Sequence, residues 1–210
     1  MSELAIRTFS GVLLAAIALA AVVQGGYTFA VLAAAAATAV FYEWTRIVRG
    51  WGAAWYLSGF VYALVSALSL LWVRDRADSG LALVLWVFIL VWSVDIGAYF
   101  AGRAIGGPKL APAISPNKTW AGFYGGVMAA TLLSGGWALF VGLPPIALLL
   151  APLFAVAAQG GDLFESWMKR RAGIKDSGRW LPGHGGVFDR LDGLLPVAIL
   201  TALAVILGVA

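Results

Sequence analysis

Between Ser166 and Asp192 the chain reads Ser-Trp-Met-Lys-Arg-Arg-Ala-Gly-Ile-Lys-Asp-Ser-Gly-Arg-Trp-Leu-Pro-Gly-His-Gly-Gly-Val-Phe-Asp-Arg-Leu-Asp, a polar stretch holding the only histidine. Gly183, Gly185 and Gly186 allow backbone amides to approach an anion closely, and Lys175, Arg179, His184 and Arg190 offer donors around it. Asp189 and Asp192 follow, three apart on one helical face. Carboxylates beside so many phosphate-type donors suggest Mg²⁺ shared between the protein and substrate phosphates, because Mg²⁺ usually takes one or two carboxylates and completes its shell with phosphate oxygens. A compact turn whose acids cap a helix and pair with arginines is the structural alternative.

A second group precedes it. Asp162, Glu165, Ser166 and Lys169 fall at offsets of three, four and seven, which puts two carboxylates, a hydroxyl and an ammonium on one helix stripe. Ionisable groups inside an apolar run are costly and face a site or a pathway, so Asp162 reads as functional, although pairing with Lys169 would also account for it. Asp95, near Tyr99 and Arg103, divides evenly between a site residue and a structural ion pair. Glu43, between Tyr42 and Trp44, reads as an interfacial anchor in an aromatic belt. Ser115 followed by Pro116 reads as an N-cap and first helical residue, which would set free amides beside Lys118 and make a phosphate site there.

The elements that must carry these residues are membrane helices. Only 11% of the 210 residues are charged, against ~25% in ordinary soluble domains, and the mean hydropathy is +0.92. Apolar runs near 5–23, 27–48, 53–73, 80–102, 120–141, 145–168 and 191–210 are each close to the ~20 residues that cross a hydrocarbon core. The expected fold is therefore all-α: one integral membrane domain over 1–210, a polytopic bundle of about seven spans with two long cytoplasmic loops. The first run resembles a secretory signal, but further spans follow and Gln24-Gly25-Gly26 makes a turn, so it is read as retained. With no cysteine, disulfides and thiolate chemistry are excluded.

With the N-terminus inside, all of the 14 basic residues except Arg74 and Arg76 fall on the cytoplasmic side of the cell inner membrane. The loops 103–119 and 169–190 carry most of them, so the active site is expected on that face. The net charge of +4 suits anionic lipid or an anionic substrate. Nucleic acid is excluded as a partner, since no basic soluble module exists to bind it.

The pattern Ser166-x-x-Lys169-Arg170-x4-Lys175-Asp176-x-Gly178-x-x-Leu181-Pro182-Gly183-His184-Gly185-Gly186-x-x-Asp189-Arg190-x-Asp192 is similar to the signature of phosphatidate cytidylyltransferases, also called CDP-diglyceride synthases. Asp95-x-x-Ala98-Tyr99-x-x-Gly102-Arg103, Ser115 to Thr119, and Gly161-Asp162-Leu163-x-Glu165-Ser166 also resemble that family, so the likeness covers about 92–210. The resemblance implies a homodimeric membrane enzyme that takes CTP and phosphatidate to CDP-diacylglycerol and pyrophosphate. It further implies an Mg²⁺ requirement, with Asp162 and Asp189 holding a metal centre that can include a monovalent cation such as K⁺. At 210 residues the chain is shorter than the family pattern, which points to N-terminal helices absent here.

On this reading Asp162, Asp189, Lys169 and His184 are the catalytic candidates. Ser115, Lys118, Ser166, Arg170, Lys175 and Arg190, with the amides of Gly185 and Gly186, contact substrate phosphates, and Asp95, Glu165 and Asp192 support them. Acyl chains enter laterally between helices. An ion-coupled transporter using Asp162, Asp95 and Glu43 is one rival, although no inverted repeat is visible and the charges gather at one face. A CTP-dependent polyprenol kinase is another; it would need a base for its alcohol nucleophile and would release CDP.

Overall fold

A computed structural model describes residues 3–178, 180–181 and 185–208. The apolar runs fold as helices: α1 (Glu3–Gln24), α2 (Gly26–Ile47), α3 (Ala53–Arg74), α4 (Gly80–Ala104), α5 (Trp120–Val141) and α6 (Ile146–Arg171). Among the described residues, α2 to α6 are long and apolar enough to cross a membrane. The apolar part of α1, Thr8–Gln24, and the final helix are shorter. The chain is a multi-pass, all-α membrane protein.

The last run does not form one helix over 191–210. It divides into α7 (Phe188–Leu191) and α8 (Leu194–Ile206). Pro196 explains the break: it has no N–H to give the Asp192 carbonyl four residues earlier. The N–H of Gly193 turns instead to the side chain of Asp192, at 2.8 Å from Oδ1.

The segment between α4 and α5 carries an antiparallel hairpin of β1 (Lys109–Ala111) and β2 (Ser115–Thr119). Ser115 is therefore not an N-cap and Pro116 is not the first helical residue. The cap is Thr119, whose Oγ1 accepts the N–H of Gly122 at 3.0 Å. Pro116 is tolerated because a two-stranded ribbon is all edge, where a strand can lack a ladder donor.

Because the helices alternate in direction, the turn 48–52, the hairpin segment and the described residues between α6 and α7 share one end of the bundle. Arg170 ties two of them together, its Nε donating to the Ile114 carbonyl at 3.1 Å. At the other end Arg74 joins α3 to α1 through the carbonyls of Val22 (2.6 Å) and Val23 (3.0 Å).

Close helix contact depends on small residues. A Cβ on Gly97 would lie 2.7 Å from the Gly125 carbonyl, and one on Gly126 would lie 2.8 Å from the Val94 carbonyl. Lipid tails are as apolar as side chains, so association in a membrane relies on such backbone approach and its dispersion contacts. This α4–α5 seam fixes Asp95 on α4 relative to Lys118, just before α5. Two apolar clusters fill the bundle. One, around Val84, Trp86, Leu90, Ala151 and Phe154, lies in its middle. The other, with Val40, Trp44, Ile47, Met168, Phe188 and Leu195, lies under the polar end and supports the site.

Candidate active site

Two lysines divide the carboxylates between them. The stripe expected on α6 is present, but it splits. Asp162 pairs with Lys118 from β2 and accepts the hydroxyl of Ser166 at 3.3 Å. Lys169 instead bridges Glu165, one turn back at 2.5 Å, and Asp189 of α7 at 2.6 Å. The alternative in which Asp162 is neutralised by Lys169 therefore does not hold. Lys118 donates to a protein carboxylate, and the capped end of α5 lies next to it through Thr119.

Asp189 is fixed from several sides. Its Oδ2 accepts the amides of Ser177 (3.1 Å) and Gly186 (2.8 Å). Burial works to raise this carboxyl, but the Glu165 carboxyl and Lys169 ammonium beside it and the Gly186 amide outweigh that, holding it at about 2 against an ordinary 3.8. Asp189 is therefore an anion at any physiological pH. Asp192, three residues on, turns away from this cradle and lies within electrostatic reach of Asp162, Asp95 and Lys118. The two aspartates do not act as one face.

Glu43 is the residue that sequence reasoning placed wrongly. It is fully buried, not interfacial. Its carboxylate accepts the Ser177 hydroxyl (2.7 Å) and the amides of Val187 (3.0 Å) and Phe188 (2.8 Å), so α2 holds the signature loop by three hydrogen bonds to one charge. Gly178 and Gly186 are glycines for this reason: a Cβ on either would overlap the Glu43 carboxylate. The signal was available in the helical period, which sets 43 on the face of Val40, Trp44 and Ile47, all buried. The cost of an ionisable group in an apolar run applied to Glu43 as much as to Asp162.

The remaining candidates are more dispersed. Arg170 is exposed and bonds the carbonyls of Ile114 and Ile174, bracing two loops. Lys175 is exposed at the rim, and Ser115 lies in β2. Gly185 has φ +83 and its carbonyl accepts the Leu181 amide at 3.0 Å, a turn only glycine adopts without strain. The Gly186 amide is given to Asp189. Arg190 reaches Asp95 electrostatically. Arg103, which might have paired with Asp95, donates to the Tyr99 hydroxyl at 2.9 Å. His184, with Arg179, Pro182 and Gly183, lies outside the described residues.

Taken together, Asp95, Asp162, Glu165, Asp189 and Asp192 form one electrostatic neighbourhood with Lys118, Lys169 and Arg190. Among the described residues, five carboxylates stand beside three cations here. Among the described residues no three such side chains converge as a complete protein cage for a metal. A set in which the described carboxylates outnumber the described cations, with no closed cage, fits a divalent ion that takes part of its shell from substrate phosphates.

Fold and site define a multi-pass membrane protein that gathers carboxylates and amines at one end of its bundle. Residues 49–207 match the cytidylyltransferase family, and the chain belongs to it. Phosphatidate cytidylyltransferase of Brucella suis is 38% identical over an alignment of 260 residues covering 97% of this chain and 93% of that protein. The alignment is longer than the chain, so the relative carries residues within it that have no counterpart here. The protein of the same name from Pseudomonas aeruginosa is 40% identical over 75% of this chain and 60% of its own length. That from Bacillus subtilis is 47% identical over 59% of this chain and 47% of its own length. The protein is accordingly a nucleotidyltransferase, and neither the transporter nor the kinase reading stands.

Proposed function

We propose that this enzyme transfers CMP from CTP to phosphatidate, giving CDP-diacylglycerol and pyrophosphate for phospholipid synthesis. The observation that carries the reading is the pair of aspartates, Asp162 and Asp189, each held by its own lysine at one end of a membrane bundle, in a chain of the cytidylyltransferase family.

A phosphate monoester has its second pKa near ~6, so phosphatidate is already largely a dianion and needs no strong base. Its oxygen attacks the α-phosphorus of CTP, the bond from that phosphorus to the β-bridging oxygen breaks, and the electron pair leaves with pyrophosphate. Catalysis is then mostly positioning and charge neutralisation. Asp162 and Asp189 would hold Mg²⁺ together with a monovalent cation such as K⁺, with Asp95 and Asp192 adding to the negative field. When bound, that ion supplies the positive charge that offsets repulsion between the two phosphates. Lys118 and Lys169 orient the two aspartates and would contribute positive charge to phosphate oxygens bound beside them. Ser166, Arg170, Lys175 and Arg190, with the Gly185 amide, complete the phosphate contacts, and His184 meets the leaving pyrophosphate. Glu43 does not touch substrate; it keeps the loop in place.

We extend the reading to the setting: the inner membrane of the cell, N-terminus and site on the cytoplasmic side, and a homodimer. The test is formation of CDP-lipid and pyrophosphate by the purified protein given CTP, phosphatidate and Mg²⁺. Chelation should stop both products and added Mg²⁺ restore them. Product formation untouched by chelation would remove the metal from the account.

A further inference from the structure

Beside the charged cluster lies an apolar groove of about 620 Å³, within the range of roughly 300–1,000 Å³ found for ligand pockets. Trp44, Trp55, Tyr62 and Phe164 form its walls, and Gly160 and Gly161 of α6 its floor. The polar atoms of the walls are turned inward: Trp44 Nε1 and Ser58 Oγ both donate to the Trp55 carbonyl, at 2.7 and 3.0 Å. What the groove offers is hydrocarbon surface.

Its inner end touches the site. Gly161 directly precedes Asp162, and Tyr62 lies within electrostatic reach of Asp192. Its lining runs along α3 from Ala54 and Trp55 in the first turn to Tyr62, and along α6 from Phe164 back past Gly161 and Gly160 to Ala157. The two floor glycines differ. A Cβ on Gly161 would overlap the Asp192 carbonyl, whereas one on Gly160 meets nothing within 4 Å. The first is glycine for helix packing; the space over the second is the groove itself.

We propose that this groove holds an acyl chain of the phospholipid substrate and that the bare surface of Gly160 sets which chains are accepted. The inference rests on the phosphatidate reading of the charged site. In a bilayer, moving a chain from lipid into an apolar groove brings no hydrophobic gain, so the groove acts through shape. Shape counts here because a lipid whose phosphate is held at Asp162 and Asp189 has its tail tethered at the groove's inner end. A lipid without that headgroup gains nothing by entering.

Gly160→Leu fills the groove without touching the backbone, and Ser58→Leu does so from the opposite wall. Gly136→Leu is the control, since a Cβ there also meets nothing within 4 Å and Gly136 lies exposed on α5, away from the groove. The reading is kcat/KM for phosphatidate with long acyl chains and for its dihexanoyl analogue, together with KM for CTP. Both groove variants should lose about tenfold or more on the long-chain lipid, the discrimination typical of a misfitted apolar pocket. They should keep the wild-type value on the dihexanoyl lipid and the wild-type KM for CTP, and Gly136→Leu should change neither. An unchanged long-to-short ratio in both groove variants, or equal loss on both lipids, overturns the proposal. A wild type that makes no CDP-lipid from either lipid overturns the underlying function as well, and the two failures are told apart by the wild-type lane alone.

Discussion

Asp162 and Asp189 drew attention in the sequence because each stands where a charge is hard to justify without a ligand, and the structure pairs each with its own lysine. Replacing either with Asn keeps the shape and removes the charge. Turnover should fall on the order of 10²–10³-fold, the scale of losing one preorganised electrostatic group, while the protein stays folded and inserted. Near wild-type rates in either variant would sink the metal assignment. Glu43 was not legible as a loop anchor, because its three partners are over 130 residues away and two of them are backbone amides that carry no residue type. Glu43→Ala should cost about 3 kcal/mol, as expected when hydrogen bonds to a buried charge are lost, and detergent-phase thermal melts would read it. A melting temperature equal to wild type would mean the loop holds without α2.

The pH dependence belongs to the same scale. Asp189 has a depressed pKa of about 2, so its contribution to stability is fully present above the ordinary carboxylate value of about 3.9 and is lost only as pH falls through its folded value. It should add no slope to stability between about pH 5 and 8. The acid limb of the rate profile should instead lie near pH ~6, where the lipid phosphate takes up its second proton. A limb centred near pH 4 would assign it to a protein carboxylate.

At the scale of elements, hydrophobic runs located α1 to α6 to within a few residues, since a crossing demands a length that little else in a sequence satisfies. Two local features escaped. Pro196 breaks the last helix because it cannot donate the hydrogen bond to the carbonyl four residues upstream, and the run of apolar letters hides this. Ser115-Pro116 looked like a helix start because its residue types are shared by caps and by the edge strand it forms. Thr119→Ala should therefore cost about 1 kcal/mol as the loss of the true cap, with Ser115→Ala nearly silent in stability; the reverse order would restore the earlier assignment. The α4–α5 seam is stricter. Gly126→Leu should separate the helices and displace Asp95 from Lys118, so yield and melting temperature fall together, and a well-folded, active variant would contradict the close backbone approach seen at this position.

For the whole molecule, the division of labour runs across the halves of the chain. Signature residues lie from Asp95 onward, yet α2 supplies Glu43 under the loop and α2 and α3 supply a wall of the apolar groove. α2 and α3 are therefore packed against the candidate site, which the absence of any motif in that half had concealed. The homodimer is open to light scattering in detergent, where a monomeric mass with full activity would remove it from the proposal.

The most direct test of the central claim follows the phosphorus atoms. CTP labelled at the α-phosphate, and separately at the γ-phosphate, is given to the purified protein with phosphatidate and Mg²⁺. The account predicts α-label in the lipid product and γ-label in pyrophosphate, in equal amounts, with both falling on the order of 10²–10³-fold in rate in Asp189→Asn. Recovery of γ-label in the lipid and α-label in free CDP would mean a phosphotransferase, and would contradict it.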